Sequence, residues 1–359
     1  MTTMQARRNQ PFHRLRVAEV QPLCEDAAAV TFAVPEDLKP QFSFLAGQSL
    51  TLRKTVDGRE ERRTYSVCSP AGGALRIGVR EVPGGMFSEW LVRNIKSGDQ
   101  VEVQTPSGSF AAPPGTGGRH VLIAAGSGIT PILSIAATVL QQPDSHVVVL
   151  YGNRRASSAM FADELADLKD SYGSRLELVH VLSREHRAVD LFSGRLDADR
   201  LRRLLDGLVP VSAVDHFWLC GPHGMVLDAE RVLGDLGVPD DRIHRELFYV
   251  EDVAPEPVHH VETADPGRRS EVTIILDGRA AALSLPRDTS VLDAAQRSRD
   301  DLPFACKGGV CGTCRAKVTA GEVDMRRNYA LEPHEVAAGF VLTCQSFPTS
   351  DTVTVDFDA

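Results

Sequence analysis

The chain has 359 residues, 43% of them hydrophobic and 24% charged, an ordinary globular composition and enough length for two or three domains. Its 39 Lys+Arg against 48 Asp+Glu give a formal charge of −9, which excludes the basic footprint a nucleic-acid partner needs and leaves protein and small-molecule partners. No window reaches the roughly 20 apolar residues of a spanning helix; the nearest, VLIAAGSGITPILSIAATVL, is broken by Gly, Ser and Pro, so no membrane partner is expected.

Residues 1–11 read as a flexible N-terminus with no apolar core of an export signal. Together with an odd number of cysteines, seven, this favours a cytoplasmic protein without a disulfide framework. From Phe12 to Pro113 come short alternating runs (RLRVAEV, AAAVTFAVP, QSLTLRK, RTYSVCS, ALRIGVREV, DQVEVQTP) punctuated by Gly, Pro and Asp, the pattern of an antiparallel barrel or sandwich. A short helix, MFSEWLVRNI, interrupts them.

Within this region Arg63-Thr64-Tyr65-Ser66 is expected at the start of a strand. Alternation puts Arg63 and Tyr65 on one face, where a guanidinium can meet a phosphate and a ring can stack on a flavin, and the Ser66 hydroxyl on the other. Such a tetrapeptide is also commonplace on exposed strands. Gly84 and Gly85 precede Met86-Phe87-Ser88 at the helix start, where N–H groups suit a pyrophosphate, although an ordinary turn and cap reads the same way.

From about Gly117 to Phe248 apolar runs (HVLIAAG, HVVVLYG, LELVHVL, HFWLCG, RIHRELF) alternate with helical segments, one with Phe161, Leu165 and Leu168 on a face, another with Leu201, Leu204, Leu205 and Leu208. This alternation predicts a parallel, doubly wound sheet. Gly126-Ser127-Gly128-Ile129-Thr130-Pro131 joins a strand to a helix; it departs from G-x-G-x-x-G because Pro131 takes the third glycine's place. Cys220-Gly221-Pro222 makes a second such junction, and two of them in one sheet point to a nucleotide crevice. Arg154 and Arg155 follow the second strand, where arginines accommodate the 2′-phosphate of NADPH and an acidic residue would favour NADH; a solvated, Ser-capped loop is the alternative.

Val250 to Ser270 is Pro-rich and reads as a linker. Beyond it, EVTIILDG and AALSLPRD suggest a hairpin, SVLDAAQRSR a helix and DTVTVDFDA a closing strand. Cys306, Cys311, Cys314 and Cys344 follow C-x4-C-x2-C plus a distant fourth Cys, the plant-type [2Fe–2S] spacing. Four Cys can also hold zinc, but zinc ligands usually come as two close pairs, whereas here three share one loop. Cys24 and Cys68 read as structural thiols.

With these motifs in this order, the chain resembles the ferredoxin–NADP⁺ reductase-like oxygenase reductases that carry a C-terminal ferredoxin domain, from about residue 12 onward. LPFACKGGVCGTCRAKV, NYALEP, GFVLTCQS and VTVDFDA are similar to the reductase subunits of phenylacetyl-CoA epoxidase systems; ketosteroid hydroxylase and ring-hydroxylase reductases share the layout. The resemblance implies an antiparallel β-barrel FAD domain (12–113), an α/β doubly wound parallel-sheet NAD(P) domain (114–249), a linker (250–270) and an α+β β-grasp [2Fe–2S] ferredoxin domain (271–359). It implies that Arg63, Tyr65 and Ser66 hold FAD, with Ser66 near the flavin N5, and that Val79, Arg80, Gly85, Met86 and Ser88 line its pyrophosphate or the barrel wall. Gly126, Gly128 and Thr130 would border nicotinamide and flavin, Cys220, Gly221 and Pro222 would sit beside the nicotinamide, and Glu246 and Phe248 near the isoalloxazine. His223-Gly224 depart from the small or apolar residues usual in the family.

The implied activity is electron transfer from NADPH or NADH through FAD and the cluster to a separate oxygenase, a di-iron enzyme acting on phenylacetyl-CoA if the nearer resemblance holds, with no catalytic acid–base pair. A reductase for a Rieske-type ring hydroxylase or ketosteroid hydroxylase is the alternative, and a flavin/iron–sulfur redox sensor is the alternative of another class.

Overall fold

The computed structural model describes residues 11–56, 59–82, 85–249, 268–276, 278–297, 302–304, 306–310, 312–331 and 333–359. Gly84, Cys311 and all but the end of the expected linker lie outside them. The fold comprises two compact units, one built on a barrel and a parallel sheet, the other on the C-terminal sheet.

In the first unit β1 (His13–Cys24), β2 (Ala27–Ala33), β3 (Ser49–Val56), β4 (Arg59–Ser66), β5 (Arg76–Arg80) and β6 (Gln100–Val103) form a sheet in the order β4-β3-β6-β1-β2-β5. An antiparallel bridge from Val67 to Ile77 closes it into a barrel. Alternation drives this arrangement: Leu15 and Val17 of β1 point inward between outward arginines, and with Val30, Leu50, Leu52, Ile77 and Val79 they fill the interior. The strand β2 is buried on both faces, because its second face, Ala27 and Ala29, packs into the core of the parallel sheet. α1 (Met86–Arg93) lies where the short helix is expected.

β7 (Arg119–Ala125), β8 (His146–Asn153), β9 (Leu176–Leu182), β10 (His216–Pro222) and β11 (Ile243–Tyr249) form a wholly parallel sheet in the order β11-β10-β7-β8-β9. Helices cover both faces, α2 (Ile129–Val139) and α3 (Ala162–Tyr172) on one, α4 (Ala198–Leu208) and α5 (His223–Asp235) on the other, which is why these strands read as apolar runs. Leu165 and Leu168 face inward from α3 as expected, but Phe161 precedes the helix, in the left-handed conformation at φ 57°. The strand order reverses between β7 and β10, and ligands of doubly wound sheets bind at that point.

The second unit has a mixed sheet of β12 (Arg269–Leu276), β13 (Arg279–Pro286), β14 (Arg315–Ala320), β16 (Phe340–Leu342) and β18 (Thr352–Asp356), with β15 (Val323–Met325) pairing β17 (Ser346–Pro348). β12 and β13 make the expected hairpin, β12 starting at Arg269, inside the segment read as linker. β18 runs parallel to β12. α6 (Val291–Ala295) is shorter than expected, its first turn capped by Ser290, whose hydroxyl accepts from the Asp293 N–H at 3.2 Å. α7 (Pro333–Ala337) completes the unit. No helix among the described residues is long and apolar enough to cross a membrane.

Candidate functional site

At the reversal point β7 and β10 run in register, Cys220 opposite Ala124. The turn 126–128 then crosses the end of β10 so closely that a Cβ on Gly128 would lie 2.1 Å from the Cys220 carbonyl oxygen. Gly126 is left-handed at φ 56°, so both glycines of the motif are required by backbone geometry, one by close approach and one by conformation. Gly221 is also tightly placed, since a Cβ there would lie 3.2 Å from the Ala125 nitrogen and 3.3 Å from its carbonyl oxygen. No side chain caps the start of α2, nor that of α5 after Pro222. Thr130 is fully buried in the first turn of α2, its hydroxyl donating to the Ser127 carbonyl at 3.0 Å.

β11 brings Glu246 beside Cys220. The Ser66 hydroxyl, from the barrel, donates to Glu246 Oε2 at 3.3 Å. Burial of the carboxyl pushes Glu246 up to about 8, against the opposing pull of the Ser66 bond, so the group is mainly protonated at neutral pH. Burial, and then the Glu246 charge, raise the Cys220 thiol well above its ordinary range, so it is no nucleophile. Phe248 packs half-buried against the same core.

On the barrel, Arg63 to Ser66 end β4 and do not open it, a correction to the expected placement that sets Ser66 at the rim facing β11. Tyr65 is half-buried, its ring 6.2 Å from Phe87. Arg63 is half-buried and donates to the Arg62 carbonyl at 2.7 Å. Val79 points wholly into the barrel core, so only its backbone can face a ligand. Arg80 reaches Cys24 Sγ at 3.6 Å and Asp26 at 3.4 Å, bonds the Ser158 carbonyl, and lies against Gly126. No side chain caps α1 after Gly85, and Val82 and Met86, 47% and 55% exposed, flank that start. The Ser88 hydroxyl is engaged locally, accepting from the Val82 N–H at 3.0 Å and donating to the Gly85 carbonyl at 2.9 Å. On this unit a guanidinium group, an aromatic ring, an uncapped helix start and exposed apolar side chains match in kind what an FAD takes.

Arg154 and Arg155 lie exposed after β8, and Ser158 caps the turn that follows. Sequence reasoning missed the contacts that join barrel to sheet. Gly47 N–H donates to the Ser134 hydroxyl at 3.3 Å, which in turn donates to the Ser69 carbonyl at 2.6 Å. Arg76 grips Glu164 through two bonds, 2.7 and 2.8 Å, and Gly78 abuts Thr130 and Phe161. A glycine inside strand β5 was the one available signal.

In the second unit the described cluster cysteines converge. The Cys314 thiol bonds the Cys344 sulfur and holds it below the usual thiol range, against the effect of its burial, and Cys306 adds a repulsive charge nearby. The Gly308 N–H donates to Cys306 Sγ at 3.3 Å. Lys307 (φ 52°), Gly309 (φ 83°) and Gly312 (φ 63°) wind the loop through left-handed turns that aim N–H groups inward. An all-sulfur donor set with N–H groups directed at it fits an iron–sulfur cluster.

These features define a flavin- and nicotinamide-dependent reductase with its own ferredoxin. Family models agree: the oxidoreductase FAD-binding domain matches residues 14–111, the oxidoreductase NAD-binding domain 122–231 and the 2Fe-2S iron-sulfur cluster binding domain 274–349. The chain is 45% identical to a component of the 1,2-phenylacetyl-CoA epoxidase of Escherichia coli over 97% of its own length and 98% of that protein's. To the ferredoxin reductase component of 3-ketosteroid-9-alpha-monooxygenase from Rhodococcus rhodochrous it is 33% identical, over 99% and 100% of the two lengths. Phthalate dioxygenase reductase has the same fold, with a TM-score of 0.63 at 24% identity over 96% of this chain and 98% of that one. The chain therefore belongs to the family of oxygenase reductase components that combine FAD-binding, NAD-binding and [2Fe–2S] domains.

Proposed function

We propose that this reductase supplies a di-iron oxygenase acting on phenylacetyl-CoA, and that NADPH is preferred over NADH. The observation that carries the reading is end-to-end likeness to the epoxidase component, 45% identical against 33% for the ketosteroid reductase, with both ferredoxin and nucleotide halves included. When bound, FAD accepts a hydride from NAD(P)H and the [2Fe–2S] cluster passes the electrons on singly.

The chain's own groups hold these partners. Arg63 and Arg80 neutralise the FAD phosphates, with the start of α1 contributing N–H groups, and Tyr65 covers the flavin ring. Ser66 and Glu246 form a polar pair at the reactive edge, a proton resting on the Glu246 carboxyl. Gly126, Gly128, Thr130 and Cys220 to Pro222 admit the nicotinamide, Phe248 shields the flavin from water, and Arg154 with Arg155 meets the 2′-phosphate. Cys306, Cys311, Cys314 and Cys344 ligate the cluster. We take the enzyme to act in the cytoplasm, where NAD(P)H is held.

The test is reconstitution with a purified di-iron phenylacetyl-CoA epoxidase. NADPH consumption is expected to couple to oxygenated product in that mixture and not with a ketosteroid oxygenase; the reverse result overturns the assignment.

A further inference from the structure

We infer that Gly78 is a positioning residue: its bare α-carbon sets how closely the flavin-bearing barrel approaches the nicotinamide-bearing sheet, and Phe161, clamped by Arg76 and Glu164, keeps that contact tight. The inference rests on the reading of Thr130 as a nicotinamide-side residue.

Gly78 sits in β5, two residues before Arg80, the residue proposed above to meet the FAD phosphates. A Cβ at Gly78 would lie 2.5 Å from Thr130 Cγ2 and 2.8 Å from Phe161 Cζ. At this point, a strand that carries flavin contacts touches a residue of the nicotinamide junction with nothing between them. Neither neighbour can yield cheaply. Thr130 is β-branched, fully buried, and held by its bond to Ser127. Phe161 is 2% exposed and starts α3 from a left-handed backbone at φ 57°. The Arg76 guanidinium lies 5.4 Å from its ring centroid, fixed by the bidentate pair with Glu164 and a further bond to Gln21 at 2.8 Å. A methyl at position 78 must therefore part barrel and α2 by about 1 Å to restore ordinary contact, and a displacement of that size at a reacting pair can cost about 10²-fold in rate.

The experiment uses full-length protein loaded with FAD and cluster, comparing Gly78→Ala, Thr130→Ser, which removes the clashing methyl, and the two combined. Measured are FAD content, NADPH affinity, the long-wavelength charge-transfer absorption on mixing with NADPH, the rate of flavin bleaching, and the rate at which photoreduced flavin passes electrons to the cluster. Gly78→Ala is expected to retain FAD and bind NADPH within a few-fold, to lose most of the charge-transfer absorption, and to bleach about 10²-fold more slowly. Passage to the cluster stays unchanged, and the double variant, which keeps the 2.8 Å clash with Phe161, recovers only part of the loss.

A wild-type bleaching rate and absorption band in Gly78→Ala overturn the inference, as does an equal loss in every readout, which marks plain packing damage. If Thr130→Ser, and Thr130→Val beside it, leave both the band and NADPH affinity untouched, the reading of Thr130 fails instead. Glu164→Gln approaches the same contact without steric load by releasing Arg76 from Phe161. It is expected to slow bleaching several-fold in a chain that folds and binds FAD normally, and an unchanged rate there overturns the clamp.

Discussion

On the proposed assignment the cluster takes three sulfur ligands from one stretch of nine residues, 306–314, and a fourth from Cys344, whereas the flavin–nicotinamide crevice would gather its groups from segments spread between Arg63 and Phe248. In the loop the chemistry resides in what the residues are: a thiolate binds iron, and a hydroxyl in its place does so poorly. In the crevice it resides in how far apart they are, since Gly78, Gly128 and Gly221 contribute only the absence of a side chain. A site of the first kind should fail completely on a conservative exchange. One of the second kind should lose function by degrees.

The largest effect is accordingly expected from Cys314→Ser. This exchange should abolish the cluster, read as loss of iron, acid-labile sulfide and the visible absorption of the centre, while NAD(P)H-dependent reduction of ferricyanide survives because flavin reduction precedes the cluster. If flavin reduction stops in a folded variant, the order of electron carriers is wrong. If the cluster persists, another residue ligates it.

Next in size is the double exchange Arg154→Ala/Arg155→Ala. A charge-assisted hydrogen bond contributes about 1.5–3 kcal/mol, so kcat/KM for NADPH should fall roughly ten-fold or more with NADH little changed. Equal losses for both nucleotides would leave these arginines as the solvated loop that Ser158 also supports.

The same contrast explains what could be read from sequence. Cys306 to Cys314, the two strand–glycine–helix junctions and the helix of MFSEWLVRNI are local signals, and they led to the ferredoxin, the crevice and α1. Misread were features that depend on tertiary packing: Phe161 looks helical by spacing yet lies in a left-handed turn, and Arg63 to Ser66 close a strand that begins as early as Arg59. The Ser66–Glu246 contact spans 180 positions and two domains, and no spacing rule reaches that far.

That contact sets a smaller, pH-dependent effect. The Glu246 carboxyl is raised to about 8 from an ordinary 4.5, so the folded protein favours its neutral form; the stability this contributes is complete below 4.5 and is lost as pH rises through 8. Glu246→Gln is neutral at every pH. The melting temperature of wild type should therefore fall between pH 5 and 8.5 relative to the variant, by roughly 2–4 °C for each kcal/mol lost. Parallel curves would mean that the carboxyl is already ionised and hydrated at neutral pH.

The smallest effect comes from the other end of the same sheet face. His216 lies there in register with His120, and Trp218 with His244; across the diagonals His216 Nδ1 meets His244 Nε2 at 3.1 Å and Trp218 donates to His120 Nδ1 at 3.2 Å, and Trp218 stacks on His244 at 4.0 Å. Burial lowers His120 and His244 to about 4, each helped by the neighbouring His216, which is itself lowered by burial; Asp215 and Asp241 pull the other way. The unfolded chain takes up these protons near 6.5 and the folded chain only near 4, so the column contributes stability that is complete above 6.5 and lost as pH falls towards 4. Because His216 and His244 share one hydrogen between facing nitrogens, a second proton must break the pair. His216→Asn keeps a polar partner without a titrating ring, and should lower the melting temperature slightly at pH 7.5 while flattening its decline between pH 6.5 and 5. A decline as steep as that of wild type would shift the acid sensitivity to His120, whose ring nitrogens are both engaged, by Trp218 and by the Gly117 carbonyl at 3.2 Å.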